Sequence, residues 1–289
     1  MSLRRRGADY IALTKPRLSG LVLMTTAVGY WLGMRPRDPL GGLIPVCVGT
    51  ALVVGGANAL NQWWERDADA LMRRTRHRPL PSGRVSPRAA WRFGAGLSVI
   101  GLLVLAIGVN GLAALLAALG WVSYLLLYTP AKRWTPLCTL IGAIPGAVPI
   151  LIGWAGGRGT LDLEAWSLFA ILFIWQLPHF LALAVLYRED YALARFPMLP
   201  LIEPDGSIAS RQILLYGVAL LPISLFPAMT GVATAPYFYG AFLLGLVFVA
   251  LAVRAAWTRS RRSARELFLG SVLYLPALLG WLALNRAAF

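Results

Sequence analysis

NALNQWWERDADALMRRTRHRPLPSGRVSP, residues 58–87, is a polar interruption in a strongly apolar chain. Of the 289 residues, 58% are hydrophobic and 13% are charged, and the mean hydropathy is +0.66. A soluble domain carries about 25% charged residues, because its surface must face water. The composition therefore predicts an integral membrane protein, and this stretch marks a point at which the chain leaves the bilayer.

The rest of the chain predicts an all-α, polytopic membrane protein, a bundle of about nine transmembrane helices. A helix needs about 20 apolar residues to cross the hydrocarbon core. Segments of this kind lie at residues 17–34, 42–64, 91–110, 112–130, 136–155, 166–187, 211–231, 236–255 and 266–286. None shows the two-residue alternation that the strands of a membrane β-barrel require. We expect a single transmembrane domain over residues 1–289.

The basic residues predict the orientation, because cytoplasmic loops retain Lys and Arg. With the N-terminus inside, only four of the 27 basic residues fall on the outer face: Arg35, Arg37, Arg158 and Arg286. The net charge of +15 then reflects topology and attraction to anionic headgroups, and no nucleic-acid partner is expected. MSLRRRGADY is too short and polar for a cleaved signal peptide. The predicted location is the bacterial cytoplasmic (inner) membrane, with the N-terminus and the polar loops in the cytoplasm.

Three oxygen-bearing side chains share one face of the second predicted span where it reaches the membrane surface. Asn61, Glu65 and Asp69 are spaced i, i+4, i+8, whereas Asp67 projects from the opposite side. Mg²⁺ binds one or two carboxylates together with substrate phosphate oxygens, and arginines such as Arg74, Arg76 and Arg78 downstream suit a phosphate. The spacing alone equally fits a solvated loop in which the acids pair with their basic neighbours.

Further charged residues on the same face favour a functional site. Glu189 and Asp190 follow the sixth predicted span, and Lys132 and Arg133 follow the fourth. If these loops converge, carboxylates and cations form a metal–diphosphate site at the membrane surface. Such a site fits a substrate that has a charged diphosphate head and a long hydrocarbon tail.

Six ordered blocks of the chain resemble the heme O synthase branch (protoheme IX farnesyltransferases) of the intramembrane prenyltransferase superfamily. The blocks are YIALTKPRL (10–18), NQWWERDADALMRRTRHRPLPSGRVSP (61–87), YTPAKRWTP (128–136), GAIPGAVPILIGW (142–154), WQLPHFLALA (175–184) and REDYALARFPMLP (188–200). This resemblance implies a nine-helix bundle, farnesyl diphosphate as the donor, heme B as the acceptor and Mg²⁺ as the cofactor. It leaves open a homo-oligomer or an association with the heme A synthesis machinery.

The resemblance also implies site residues. Asn61, Glu65 and Asp69 match the first metal motif, with Glu65 in place of the middle Asp of the sister quinone prenyltransferases. The second motif departs from the sisters, because Tyr187 and Tyr191 stand where they have Asp, and Glu189 and Asp190 remain as metal ligands. The implied catalytic residues are Asn61, Glu65, Asp69 and Lys132, and the implied diphosphate-binding residues are Arg74, Arg78, Lys132 and Arg133.

Gln176 and His179, in WQLPHF, separate the heme branch from its relatives. They lie about one turn apart inside the sixth span, and polar groups within a span are functional candidates. The resemblance implies that both contact heme, with His179 either as an axial ligand or as an orienting group. The alternative is hydrogen bonding that joins two helices.

Two other functions agree less well with this sequence. A prenyltransferase acting on an aromatic or quinone precursor favours aspartates at the ends of the second acidic motif, contrary to this sequence. A transporter places charges within its spans, whereas the acidic residues here cluster on one face. The 25 arginines and only two lysines, Lys15 and Lys132, indicate a specific use for the lysines, since topology needs only positive charge.

Overall fold

The computed structural model describes residues 3–35, 39–203 and 205–287, and it is built almost entirely of helices. In chain order they are α1 (Leu3–Leu13), α2 (Pro16–Gly33), α3 (Leu43–Leu71), α4 (Pro87–Gly108), α5 (Gly111–Val122), α6 (Thr129–Ala131), α7 (Cys138–Arg158), α8 (Leu163–Leu186), α9 (Arg188–Leu193), α10 (Leu199–Ile202), α11 (Ser207–Met229), α12 (Ala235–Thr258) and α13 (Arg261–Leu284). Arg37, assigned above to the outer face, lies outside the described residues. The predicted all-α class is confirmed.

Eight helical segments of the described chain are long and apolar enough to cross a membrane. The ninth predicted span is present as α2, whose 18 residues include Arg17 near its start and are less apolar. At 1.5 Å per residue α2 is about 27 Å long, close to the thickness of the hydrocarbon core. The prediction of about nine transmembrane helices therefore agrees with the structure, and the chain is a multi-pass membrane protein.

One predicted boundary differs in a way that matters for the site. α3 continues to Leu71, whereas the predicted span ends at residue 64. Glu65, Ala68 and Asp69 among the additional residues are buried, so the helix persists beyond the apolar segment. The acidic residues of the opening stretch consequently stand on a regular helix.

The fourth span is a continuous helix over residues 111–131 with a change of pitch inside it. Ser123–Tyr128 form a π-helical turn between α5 and α6. The backbone N–H of Thr129 bonds to Tyr124 O, five residues back, as in a π-helix. This turn leads directly to the end of the span, where Lys132 follows.

Local sequence accounts for several helix starts. Ser86 caps α4 by accepting a hydrogen bond from the N–H of Ala89, and Pro87 occupies the first helical position. Asn110 caps α5 through the N–H of Ala113 in the same way. Side-chain caps of this type satisfy N–H groups that have no partner within the helix. The Asn110 cap starts α5 only two residues after α4 ends, so the connection between the two helices is short.

Glycines bring α2 and α7 into backbone contact. Gly29 and Gly33 of α2, and Gly153 and Gly157 of α7, are each spaced by four residues, which is about one helical turn. A Cβ at any of the four would overlap backbone atoms of the facing helix. Small residues at this spacing let membrane helices approach closely, where van der Waals packing drives association.

Replacing Gly153 by Ala is expected to destabilise the bundle by about 1–3 kcal/mol, because the added methyl overpacks a contact between two backbones. The measurement is the midpoint of thermal unfolding in detergent. Gly20→Ala in α2 is the matched control, since a Cβ there meets nothing within 4 Å. Equal midpoints for the two variants would show that the glycine contact does not limit helix packing.

α1 was not predicted from the sequence, and it lies beside the C-terminal end of α3. Arg84 Nε is 2.8 Å from Asp9 Oδ1, and Gln62 Nε2 donates to Leu13 O at 2.8 Å. The N-terminal segment and the polar loop after α3 therefore pack together on one side of the bundle.

Candidate active site

The C-terminal part of α3 carries the predicted acidic face. Asn61, Glu65 and Asp69 are buried, with no more than 5% of any of them exposed. Asp67 points the other way, its side chain is 80% exposed, and its carboxylate lies 3.7 Å from Arg66. The sequence-based separation of one face from the other is confirmed in the geometry.

Glu65 is paired with Lys132, which directly follows α6. The Lys132 ammonium lies 2.8 Å and 3.1 Å from the two Glu65 oxygens, and 4.5 Å from the centre of the Tyr128 ring. Burial lowers the pKa of Lys132, but the Glu65 carboxylate together with Tyr128 and Tyr124 outweighs burial, so the pKa stands well above its usual value. Removing one partner of a buried pair leaves an uncompensated charge, which costs about 3–5 kcal/mol.

Asp69 is paired with Arg78 in the loop that follows α3. Arg78 Nη1 donates to both Asp69 oxygens, at 3.0 Å and 2.7 Å. The hydroxyl of buried Thr75 donates to the Asp69 carbonyl at 2.8 Å and holds the loop against the end of the helix. Buried carboxylates need such countercharges because burial of a lone charge is very unfavourable.

The hydrogen bonds of Thr129 determine how the Asn61 amide is turned. Thr129 donates its one hydroxyl proton to Tyr124 O at 2.8 Å, so its oxygen must accept from Asn61 Nδ2 at 3.1 Å. Asn61 Oδ1 therefore faces the Lys15 ammonium, which lies 3.0 Å away. An amide oxygen and two carboxylates thus occupy one helix face.

Lys15 belongs to this site, although its position in the sequence predicted no contact with the acidic face. Its backbone has φ of 50°, in the left-handed region that a lysine adopts only at an energetic cost, at the residue that precedes α2. Burial, followed by repulsion from Arg78 and Lys132, lowers the pKa of Lys15 to about 7. The two lysines of the chain both lie at this site, and the scarcity of lysine was the signal.

The second acidic cluster reaches the site through one residue only. Asp190 is buried and accepts a hydrogen bond from the Arg73 N–H at 3.1 Å, so α9 and the loop after α3 are joined. Glu189 is exposed, as are Arg74 and Arg133. The Arg74 guanidinium lies 5.0 Å from the centre of the Tyr187 ring.

In the described part of the chain the two acidic clusters stand apart, and metal binding by Glu189 and Asp190 stays a prediction. No three side chains of the types His, Cys, Asp and Glu come together there. The reason is that Asp190 is turned toward the Arg73 backbone and Glu189 toward the exterior. The donors that do gather, Asn61, Glu65 and Asp69, still fit Mg²⁺, which needs only one or two carboxylates beside substrate oxygens.

A family model of known sequences matches most of this chain. The UbiA prenyltransferase family matches residues 22–278. The chain belongs to this family.

Individual UbiA-family proteins agree with this assignment. A protein from Solibacter usitatus named protoheme IX farnesyltransferase is 48% identical over 287 residues, which cover 96% of this chain and 98% of the relative. A solved digeranylgeranylglyceryl phosphate synthase has a TM-score of 0.81 at 16% identity, covering 97% of this chain and 98% of its own. A UbiA homologue from Archaeoglobus fulgidus bound to GPP and Mg²⁺ has a TM-score of 0.69 at 15% identity, covering 95% and 99%. At these identities the two structures show the shared fold.

In this UbiA-family chain, Gln176 and His179 face different helices. Gln176 is buried, and its amide nitrogen donates to Ala143 O of α7 at 3.4 Å and to Leu172 O at 3.0 Å. His179 Nδ1 lies 2.7 Å from Ser271 Oγ of α13. Both make the interhelical contacts that the alternative interpretation predicted, and a heme contact for either residue stays a prediction.

Uncharged residues also support this UbiA-family site, and they were not predicted from the sequence. Thr129 orients Asn61, as described above, and Tyr124 OH lies 3.4 Å from Asn58 Oδ1. Asn58 is also buried, one turn before Gln62 on α3. Its position three residues before Asn61 was the available signal, because a polar residue within an apolar span requires a partner.

Proposed function

We propose that this UbiA-family protein transfers the farnesyl group of farnesyl diphosphate to a vinyl group of heme B, giving heme O and diphosphate. The observation that carries the proposal is the buried face of α3, where Asn61, Glu65 and Asp69 meet cations at the end of an apolar helix. The 48% identity to a protein named protoheme IX farnesyltransferase supports the choice of substrates.

Mg²⁺ is the proposed cofactor, and Asn61, Glu65 and Asp69 are its proposed ligands. Glu189 and Asp190 are proposed as further ligands, with Asp190 the better placed because it is joined to the loop after α3. When bound, Mg²⁺ supplies positive charge that stabilises the leaving diphosphate.

The cations of the site are proposed to bind the diphosphate. Lys132 uses two N–H groups for the Glu65 oxygens, and its third remains for a phosphate oxygen. Arg78 bonds to Asp69 through Nη1 and keeps its other donors. Arg133 directly follows Lys132, and Arg74 lies in the same loop as Arg78; both are exposed, so we expect them to meet the incoming diphosphate first. Fixed cations of this kind stabilise the charge that develops as the allylic C–O bond breaks.

The apolar bundle is proposed to protect the reactive intermediate from water. It excludes water from the farnesyl cation after the diphosphate leaves with the electrons of the C–O bond. The electron pair of the heme vinyl group then forms the new C–C bond. Water adds to the resulting cation and loses a proton, which leaves a hydroxyethylfarnesyl chain. No side-chain nucleophile is required.

The test uses the purified protein in detergent with heme B, farnesyl diphosphate and Mg²⁺, and the products are separated by mass. We expect heme O, and we expect its formation to stop when the metal is chelated. A parallel reaction offers an aromatic quinone precursor in place of heme B. Prenylation of that acceptor, with heme B unchanged, would contradict the proposal and favour the sister activity.

The setting follows from the topology. The chain crosses a membrane several times, and we propose the bacterial inner membrane with the N-terminus and the site in the cytoplasm. The placement of α1 beside the site puts both on the same side of the bundle. A homo-oligomer or a complex with the heme A synthesis machinery stays a prediction.

Replacing His179 by Ala is expected to weaken heme B binding by about tenfold or more while leaving farnesyl diphosphate affinity nearly unchanged. His179 lies on α8 and faces α13. It is therefore away from the carboxylates of α3 that are proposed to hold the metal and the diphosphate. The measurement is a titration of the purified variant with heme B, followed at the Soret band. An unchanged shift and affinity would mean that His179 serves only to join two helices.

A further inference from the structure

Ser271 of α13 holds two aromatic residues of α8. Its carbonyl accepts a hydrogen bond from Trp175 Nε1 at 2.8 Å, and its hydroxyl lies 2.7 Å from His179 Nδ1. Ser271 is completely buried in this contact. The serine therefore fixes both the position of α8 and the orientation of the His179 ring.

The hydroxyl proton of Ser271 decides which nitrogen of His179 is protonated. Ser271 Oγ donates that single proton to Phe268 O at 2.6 Å, the usual back-bonding of a serine within a helix. The oxygen can then act only as an acceptor toward His179, so Nδ1 must carry a hydrogen. In the neutral ring, Nε2 is left with its lone pair.

Aromatic rings surround the His179 imidazole, and Nδ1 is its hydrogen-bonded nitrogen. Trp175 and Phe268 stack on the ring with centroid distances of 5.0 Å and 4.8 Å and interplanar angles of 25° and 30°. Phe180 meets it edge-on at 5.5 Å. Within the described ranges, no hydrogen-bond donor or acceptor is bonded to Nε2, and the residue is only partly buried. A lone pair on a ring that is held by stacking and by one hydrogen bond suits coordination to a metal.

We propose that Ser271 is a positioning residue that presents His179 Nε2 as the axial ligand of the iron in the porphyrin acceptor. The inference rests on the proposed function for its acceptor. A hydrogen bond from the other ring nitrogen fixes the tautomer of a ligating histidine and makes it a better electron donor. Loss of such a partner typically lowers metal affinity by 10- to 100-fold.

The first measurement needs no change at Ser271. The chain has two histidines, His77 and His179, and His77 is exposed in the loop after α3. In a ¹⁵N-histidine-labelled His77→Gln protein, the nitrogen resonances report His179 alone. We expect hydrogen on Nδ1 and none on Nε2 in the heme-free protein. The opposite tautomer would overturn the inference.

The second measurement is resonance Raman spectroscopy of the purified protein with ferrous heme B. We expect an iron–histidine stretching band that is lost in His179→Ala. Ser271→Ala should move the band to lower frequency and weaken heme B binding by about tenfold. The Trp175 bond survives this change because it uses the Ser271 carbonyl.

Ser224→Ala is the matched control. Ser224 is also fully buried, its hydroxyl is 2.8 Å from Tyr274 OH, and its carbonyl accepts from Tyr237 OH at 2.7 Å. Ser224→Ala removes a buried serine hydrogen bond to α13 that does not involve the His179 ring, so it should leave the band and the affinity unchanged. An unshifted band and full affinity in Ser271→Ala would overturn the role of Ser271, and a band that persists in His179→Ala would place the ligand elsewhere. Neither result affects heme O formation by the unaltered protein, which tests the proposed function separately.

Discussion

Glu65→Gln and Asp69→Asn are each expected to lower kcat by about 10²–10³-fold or more, the loss typical of removing one group that stabilises developing charge. Both carboxylates are buried on the same face of α3, and each is paired with a cation that lies beside the proposed metal. The amides keep the shape and some hydrogen bonds but lose the anionic oxygen that a hard cation needs. The measurement is the rate of heme O formation at saturating substrates.

Asp67→Asn is the control for this pair. Asp67 is two residues from both carboxylates, but its side chain is largely exposed and forms an ion pair with Arg66. Its rate should stay within about threefold of the unaltered protein, in line with the small energies of exposed ion pairs. Equal losses in all three variants, at equal abundance in the membrane and equal thermal stability, would refute the importance of the buried face.

Lys132→Arg is expected to lower the rate at least about tenfold, equivalent to about 1.4 kcal/mol of transition-state stabilisation, even though it conserves charge. The Lys132 ammonium fits between both Glu65 oxygens and the Tyr128 ring. A guanidinium is larger and planar, and it presents its donors in a rigid fork. We therefore expect an arginine at position 132 to disturb the ion pair with Glu65. We also expect its remaining N–H donors to point away from the diphosphate.

Arg133→Lys is the matched exchange in the opposite direction at the neighbouring residue. Arg133 is exposed, so a flexible ammonium should replace it with little loss. Steady-state rates at saturating heme B compare the two variants. A Lys132→Arg protein that turns over as fast as the unaltered one would show that a compact ammonium is not needed at this position.

The acidic face of α3 was predictable from the sequence because helical periodicity alone separates Asp67 from its neighbours. The partners were not predictable in this way. Lys132 and Arg78 were expected at the diphosphate, and the structure places both on the carboxylates. Spacing within one helix says nothing about which distant cation satisfies a buried charge, since that depends on how the helices pack.

The spans were predictable because a bilayer imposes length and hydrophobicity on any helix that crosses it. Signals that do not depend on the bilayer were missed. α1 is polar and lies beside the site, and the last part of α3 extends past the apolar run. Lys15 lies at the site with a left-handed backbone conformation. Because a lysine at positive φ is rare, its identity gave no indication of this conformation.

The π-helical turn at Ser123–Tyr128 limits what residue counting can establish in this region. A π-helical turn accommodates one residue more than an α-helical turn. The helical residues before and after the turn therefore face the same directions as they would without the extra residue. A homologue that is one residue shorter here could still present its lysine beside the acidic helix. In such a homologue the segment would be ordinary α-helix. The carbonyl that corresponds to Tyr124 O would then accept from the N–H four residues later, whereas here it accepts from the Thr129 N–H five residues later. An alignment without a gap at this turn would pair Lys132 with the wrong residue of such a homologue. The gap belongs at Leu126 or Leu127, whose exposed side chains face the lipid, so that one residue can be lost there without disturbing the packed side of the helix.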